Sequence, residues 1–406
     1  MSLLDILSDH GAWEKFCVYK TSECLSKPDE KELRAFIDEK RYLPVCELIA
    51  KGERFPLPRR SVISKLGSEK KRVVYTYPKD ENTVMKLLTY LLTRRYDGLF
   101  SPGLYSFRQQ KTAKEAVRGF MKLPGIETMY SYKVDIHDYF NSVPVDRLLP
   151  MLEDVISDDP RLLSFLESLL CEEYVLDHGA PVKERKGIMA GTPVSAFYAN
   201  LYLCGLDRHF DNSKVPYARY SDDIIVFAKT KEETERHAGF IREYLNGYGL
   251  TVNPSKEQFS SPSDGWTFLG FYVNGKTADI AAATVKKLKQ KMRRKSNALR
   301  RWAKRNDVEG EKAAKAFIRI FNRKLLESPE DNELSWSRWF FPVINTVKSL
   351  KTIDCYAQQC VRYLISGTHT KAAYRVKYED MKAIGYKNLV HEFYAFNENS
   401  ADNKNN

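Results

Sequence analysis

The run "RYSDDIIVFA" (219–228) sets two adjacent aspartates inside a stretch otherwise rich in strand-forming apolar residues. Ile224, Ile225, Val226 and Phe227 are β-branched or aromatic, the types that suit a pleated, buried surface. With "VPYARY" before them, the residues read as two strands joined at the aspartates, and Asp is a favoured turn residue. A plain hairpin turn is one reading of the pair. The other is a cation site at a strand–turn–strand, because neighbouring carboxylates in an apolar setting are costly unless protonated or neutralised. Both readings demand a sheet whose middle is covered by other elements.

The rest of the chain supplies the cover. Residues 1–60 read as mainly helical, and 61–78 as a hairpin of two β-rich runs around a polar, Gly-containing turn. Residues 79–123 are helical with a break at "FSPGLYSF"; "MYSYKVDIHDYFNSV" is strand-like up to Ile136, with helix after Pro144 through 175. One helix is expected to follow "MAGTPVSA" and run through "FYANLYLCGLDRHF". The aspartate hairpin (217–228), a helix (231–248), a strand "WTFLGFYV" (266–273) and basic helices from 281 complete the order, and "NENSADNKNN" reads as a frayed tail. Helices and antiparallel strands in this order make an α+β chain, and 406 residues suffice for two to three domains.

Composition narrows the function classes. No run of about 18 apolar residues exists, so no membrane-spanning helix is expected. The N-terminus lacks the basic and long apolar regions of a secretion signal. Seven cysteines are scattered without a C-x-x-C pair, which fits reduced thiols in a cytoplasm and argues against a zinc site or disulfide framework. The net charge is +12, and residues 281–330 hold 16 Lys/Arg against 5 Asp/Glu, a net +11. Such a block is a solvated face or a tail, but apolar anchors such as Leu288, Met292, Leu299 and Trp302 recur at helical spacing. A folded basic helix points to a polyanion, most simply nucleic acid.

Asp135 follows "YSYKV" at the end of a strand-like run. A strand-end aspartate alone is ordinarily a cap or turn residue. Two strands of one sheet, however, could bring Asp135, Asp222 and Asp223 together, and an all-oxygen donor set favours Mg²⁺ or Mn²⁺. Two such ions ~3.5–4 Å apart serve in-line phosphoryl transfer.

Several motifs here share one resemblance. "YSDD" is similar to the Y-x-D-D box of reverse transcriptases, and "VDIHDYFNSV" resembles their first aspartate motif. "GIMAGTPVSAFYANLYL" resembles the Gly/Pro motif between them, "LTVNPSKEQF" the lysine motif, and "FLGFYV" the primer-grip strand. "KLGSEKKRVVYTYP" and "LYSFRQQKTAKEAV" are similar to fingers motifs of bacterial, intron-like enzymes. The match covers about residues 60–275, in order.

The resemblance implies a right-hand polymerase: an N-terminal helical region and fingers (1–132), a palm (133–275, with fingers helices interleaved at about 145–190), a helical thumb and C-terminal region (276–395) and a disordered tail (396–406). It implies that Asp135 and Asp222 bridge two Mg²⁺ ions, with Mn²⁺ an alternative and the Ile136 carbonyl an added ligand. Asp223 would stay secondary, since successive strand side chains face opposite ways. Lys65 and Arg72 would grip the triphosphate, and Lys256 would protonate pyrophosphate or be a solvated loop lysine. Phe140 would exclude the sugar 2′-hydroxyl or simply pack in the core. Gly191 and Pro193 would shape the nucleotide floor or form an ordinary pre-helix turn. Arg108, Arg293, Arg294 and Lys295 would contact nucleic acid. His137 and Asp138 read as surface or turn residues.

Two positions depart from the family pattern: Val194 stands where many relatives carry Gln, and Ser221 where Ala or Met is commoner. About 130 residues follow the primer-grip strand, with no room expected for a sizeable RNase H or protease domain. With "GTPVS", this is most similar to the defence-associated (unknown-group, abortive-infection-like) branch. That branch makes cDNA with a structured non-coding RNA and contributes to phage resistance. The expected partners are an RNA template, a DNA or hybrid product and dNTPs, with no membrane. A template-independent DNA polymerase and a group II intron or retron-type enzyme remain alternatives. A palm-fold nucleotide cyclase would need a Gly-Gly box that is absent, and intact aspartates count against a non-catalytic RNA-binding scaffold.

Overall fold

The computed structural model describes residues 1–22, 27–64, 71–184, 187–327 and 336–405. They form two compact units, Met1–Asp264 and Gly265–Asn406.

The first unit opens with helices α1 (Leu3–Ile6), α2 (His10–Ser22), α3 (Lys27–Asp38) and α4 (Tyr42–Ala50). They close around Trp13, fully buried, whose ring stacks on Tyr42 at 5.1 Å and meets Phe36 edge-on at 5.2 Å. Strands β1 (Arg59–Ser64) and β2 (Lys71–Thr76) pair antiparallel, and α5 (Lys79–Arg95) lays Val84, Met85, Leu88 and Leu92 into the core. Helix α6 (Ala113–Lys122), strand β3 (Tyr130–Asp135) and helices α7 (Tyr139–Ser142), α8 (Val145–Val155) and α9 (Pro160–Cys171) follow.

Next come β4 (Tyr174–Asp177) and β5 (Ala180–Lys183), a hairpin that periodicity did not reveal; it extends the first sheet in the order β2-β1-β4-β5. The single helix expected after "GTPVS" is two, α10 (Ser195–Tyr202) and α11 (Cys204–Asn212), which part at Leu203.

Strands β6 (Tyr217–Tyr220) and β7 (Asp223–Ala228), helix α12 (Lys231–Gly247) and strand β8 (Gln258–Ser260) complete the unit. The second sheet runs β6-β7-β3-β8, antiparallel throughout. Ile224 to Phe227 are all fully buried, so β7 is covered on both faces and its sequence is continuously apolar rather than alternating. Helix α12 packs on β3 and β7, Phe120 of α6 meets Phe227 at 4.7 Å, and Phe210 of α11 stacks on Tyr217 at 4.6 Å.

The second unit begins with a three-stranded sheet, β11-β10-β9. Its strands are β9 (Trp266–Phe268), β10 (Phe271–Asn274) and β11 (Thr277–Ile280). The expected single strand 266–273 is therefore a hairpin. Leu269 and Gly270 both take left-handed backbone angles (φ 50° and 87°), and an apolar run cannot by itself tell one strand from two. These strands fall in the C-terminal unit, which begins at Gly265.

Helices α13 (Ala282–Arg305), α14 (Gly310–Leu325), α15 (Trp336–Phe340), α16 (Lys348–Ser366), α17 (Tyr378–Ala383) and α18 (Leu389–Asn405) follow. Helix α18 continues through the segment expected to be a disordered tail. Its first amides, Leu389 and Val390, donate to the buried Asp354 carboxylate of α16 at 3.0 and 3.2 Å. That cap satisfies the hard step of nucleation, after which polar residues propagate the helix. Among the described residues no helix is long and apolar enough to cross a membrane.

Candidate metal centre and nucleic-acid surface

Antiparallel pairing of β3 with β7 sets Asp135 directly opposite Asp223. Asp222 sits just before β7, in the two-residue turn Ser221–Asp222, where Ser221 adopts a left-handed backbone (φ 59°). The Asp222 carbonyl accepts the Ile136 amide at 3.0 Å, which ties the turn to the end of β3. Carboxylate oxygens of Asp135, Asp222 and Asp223 all lie within 4.8 Å of one another. Strict alternation between 222 and 223 does not apply, because Asp222 is a turn residue. Asp223 joins the cluster rather than standing behind it.

The electrostatics match the crowding. Burial pushes the Asp222 carboxyl up to about 6, and the charges of Asp223 and then Asp135 add to the shift. Two lysines lean in: Lys256 Nζ is 2.5 Å from Asp135 Oδ1, and Lys133 Nζ is 3.8 Å from Asp223 Oδ1. Three carboxylates against two partly exposed ammonium groups leave an oxygen-only, net negative cluster that suits a hard divalent cation. Ile136 turns its backbone amide toward the Asp222 turn, and in a strand the carbonyl shares that edge.

The other candidates fall into three groups. The first lies on α7 and on the segment that leads into α10. Phe140 is half-buried on α7, edge-on to Phe107 at 6.4 Å, and its carbonyl accepts the Ile188 amide. From there the chain runs to Gly191 (φ 103°), where an added Cβ would stand 2.9 Å from the Tyr75 carbonyl of β2; Tyr75 N–H donates to Ala190 at 2.8 Å. Glycine at 191 is thus required by conformation and by close approach. Pro193 is half-buried before α10, and Val194 is fully buried. His137 and Asp138 are exposed, as expected.

The second group is exposed: Arg72 on β2, and Arg293, Arg294 and Lys295 on α13. Arg293 also lines a groove of about 870 Å³ between α13, α16 and the three-stranded sheet, together with Lys286, Lys289, Lys348, Tyr272 and Tyr356. Lys289 Nζ lies 4.8 Å over the Tyr356 ring. Lys65 lies outside the described residues.

Arg108 forms the third group, and it is a correction. Its side chain is only 7% exposed and all five donors are spent inside the protein. Nε and Nη2 hold Asp97 at 2.7 and 3.0 Å, Nη2 also reaches the Asp97 carbonyl, and Nη1 bonds the Ser101 and Leu104 carbonyls. A guanidinium so occupied fastens a loop and has no donor left for a phosphate.

Sequence reasoning missed Lys133 and the fully buried pair Arg219–Asp207. Lys133 was accessible from the pattern, since it lies two residues from Asp135 on the same strand face. Nothing local announces that Arg219 would be buried.

An antiparallel sheet that gathers three carboxylates at one end, inside a helical frame, has the architecture of the palm of a right-hand polymerase. The chain belongs to the reverse transcriptase (RNA-dependent DNA polymerase) family, whose sequence profile matches residues 63–273. It is 20% identical over 173 residues to the retron Ec86 reverse transcriptase of Escherichia coli, an alignment spanning 42% of this chain and half the length of that relative. Among solved structures it is similar to telomerase from Candida albicans in complex with a fragment of telomeric RNA (12% identity, 87% of this chain and 71% of that one, TM-score 0.45). It is also similar to apo telomerase from Candida tropicalis (13% identity, 82% and 69%, TM-score 0.46).

Proposed function

We propose that this chain is an RNA-directed DNA polymerase that copies a structured non-coding RNA into cDNA in the cytoplasm, in bacterial antiphage defence. The observation that carries the polymerase reading is the convergence of Asp135, Asp222 and Asp223 within 4.8 Å at the end of the β3–β7 ladder. The defence role and the kind of template rest on the sequence resemblance to the defence-associated branch.

Asp135 and Asp222, with Asp223 and the Ile136 carbonyl, would hold divalent cations. Mg²⁺ bound there would neutralise the triphosphate and activate the primer 3′-hydroxyl. Lys256, whose Nζ is 2.5 Å from Asp135 Oδ1, would give a proton to departing pyrophosphate. Lys65 and Arg72 would bind the triphosphate, and the Gly191–Pro193 turn, fastened to β2, would form the floor under the nucleotide. Phe140 would exclude the 2′-hydroxyl. The exposed cations of α13 and the groove beside it, with two tyrosines for base stacking, would bind the template–primer backbone.

The test is primer extension by the purified full chain on a defined RNA template with Mg²⁺, using four dNTPs together and each alone. Products that follow the template sequence are expected. Extension that ignores the template would replace this reading with a template-independent polymerase, and no extension under any of these conditions would overturn both.

A further inference from the structure

Arg219 stands on β6, two residues ahead of the turn that presents Asp222, and its side chain is fully buried. All five of its N–H donors are used. Nε and Nη2 grip the two oxygens of Asp207 on α11 at 2.8 and 2.6 Å. Nη2 also reaches the Asn200 carbonyl at 3.2 Å, and Nη1 the carbonyls of Ala199 and Ser221 at 3.5 and 3.3 Å. The backbone is held as well: Arg219 N–H donates to Gly103, and its carbonyl accepts from Tyr105, both at 2.9 Å. One guanidinium therefore joins the end of α10, α11 and the left-handed Ser221 of the aspartate turn.

A buried ion pair is poor evidence for stability as such, because well-packed apolar side chains often do as well. Apolar side chains cannot hold backbone carbonyls of two separate segments, Ala199 and Asn200 of α10 and Ser221 of the turn. Besides this clamp the turn is tied to β3 by the Ile136 amide on the Asp222 carbonyl. Asp223 is fixed by its pairing with Asp135, whereas Asp222 lies outside the ladder with its carboxylate within 4.8 Å of both others. Mutual repulsion favours a turn that swings Asp222 toward water, and a clamp on the preceding carbonyl opposes that motion.

We infer that Arg219, oriented by Asp207, is a positioning residue that holds the Ser221–Asp222 turn in the cation-binding arrangement. This rests on the reading of the three carboxylates as a cation site. Neither residue touches the reacting atoms; they act through the Ser221 carbonyl.

The experiment measures Mn²⁺ binding to the full chain without nucleic acid, from the loss of the free ion's paramagnetic resonance signal. Thermal melting and the Mg²⁺ dependence of extension accompany it. Arg219→Lys keeps the charge but has three donors and no planar fork, and Asp207→Glu keeps the pair but displaces it by one methylene. Both should weaken Mn²⁺ binding roughly tenfold or more, the usual effect of losing a group that orients a ligand, and excess Mg²⁺ should restore part of the extension rate. Tyr217→Phe removes the hydroxyl that donates to Asp207 at 2.9 Å without touching the turn, so it should melt earlier with native Mn²⁺ affinity. Asp207→Glu supplies the answer if Arg219→Lys does not melt cooperatively. Native Mn²⁺ affinity in the folded charge-preserving variants, whatever their melting temperatures, overturns the inference. Asp222→Ala separates the two levels. If it alone loses Mn²⁺, the positioning role falls and the carboxylate reading stands; if it too binds normally, the carboxylate reading falls first.

Discussion

The carboxylate end of the β3–β7 sheet and helix α13 use the same cationic residue types in opposite ways. In the first unit Arg108 and Arg219 are buried, each with five donors spent on a partner aspartate and backbone carbonyls. On α13, Lys287, Lys291, Arg294, Arg301 and Arg305 are exposed and recur at helical spacing, which sets them along one ridge of the helix. One region turns positive charge inward, against a partner aspartate and backbone carbonyls. The other presents it to solvent, where a polyanion can reach it. A count of arginines does not separate these uses; burial and donor occupancy do.

The largest expected effect is at the acidic end. Asp222→Ala combined with Asp223→Ala should abolish primer extension, while melting in EDTA stays at or above the native temperature because crowded like charges have been removed. Near-native extension by that variant would break the acidic half of the comparison. Next in size is Arg108→Gln, which leaves Asp97 without its guanidinium partner and should lower stability by about 2–3 kcal/mol. Its nucleic-acid affinity, measured where the protein is still folded, should keep the native salt dependence; a shallower dependence would return Arg108 to the binding surface.

The mirror-image variant is Arg293→Gln with Arg294→Gln and Lys295→Gln. Melting should be unchanged, and the log–log slope of RNA binding against salt should flatten by roughly 0.7–0.9 for each phosphate that is no longer neutralised. An unaltered slope would make α13 merely a solvated face. The smallest effect concerns Phe140→Ala, expected to raise ribonucleotide over deoxyribonucleotide incorporation by about tenfold, the scale on which a pocket discriminates by bulk. Early melting with unchanged sugar preference would mark Phe140 as packing alone.

Much of the centre was legible in the residues themselves. An aspartate pair in an apolar hairpin, a third aspartate closing a strand-like run, the basic block and the Gly-Thr-Pro turn are each ambiguous alone and gain meaning together and in order. Other features were not legible, for specific reasons. The run 266–273 folds as a hairpin because Leu269 and Gly270 turn left-handed, a backbone choice that apolar periodicity does not encode. Residues 396–405 continue helix α18, whose first amide, Leu389, is capped by Asp354 from 35 positions earlier in the chain, a partner no local pattern names.

The sequence by itself determined which chemistry was at hand: oxygen donors for a hard cation, a basic helix for a polyanion and an α+β frame for both. Tertiary structure alone decided the register that opposes Asp135 to Asp223 and the turn that brings Asp222 beside them. It also decided the burial that consumes Arg108 and the clamp that Arg219 places on Ser221. Side-chain type and short-range periodicity are properties of a few neighbouring residues. Burial, pairing and donor occupancy depend on which distant segments the folded chain brings together.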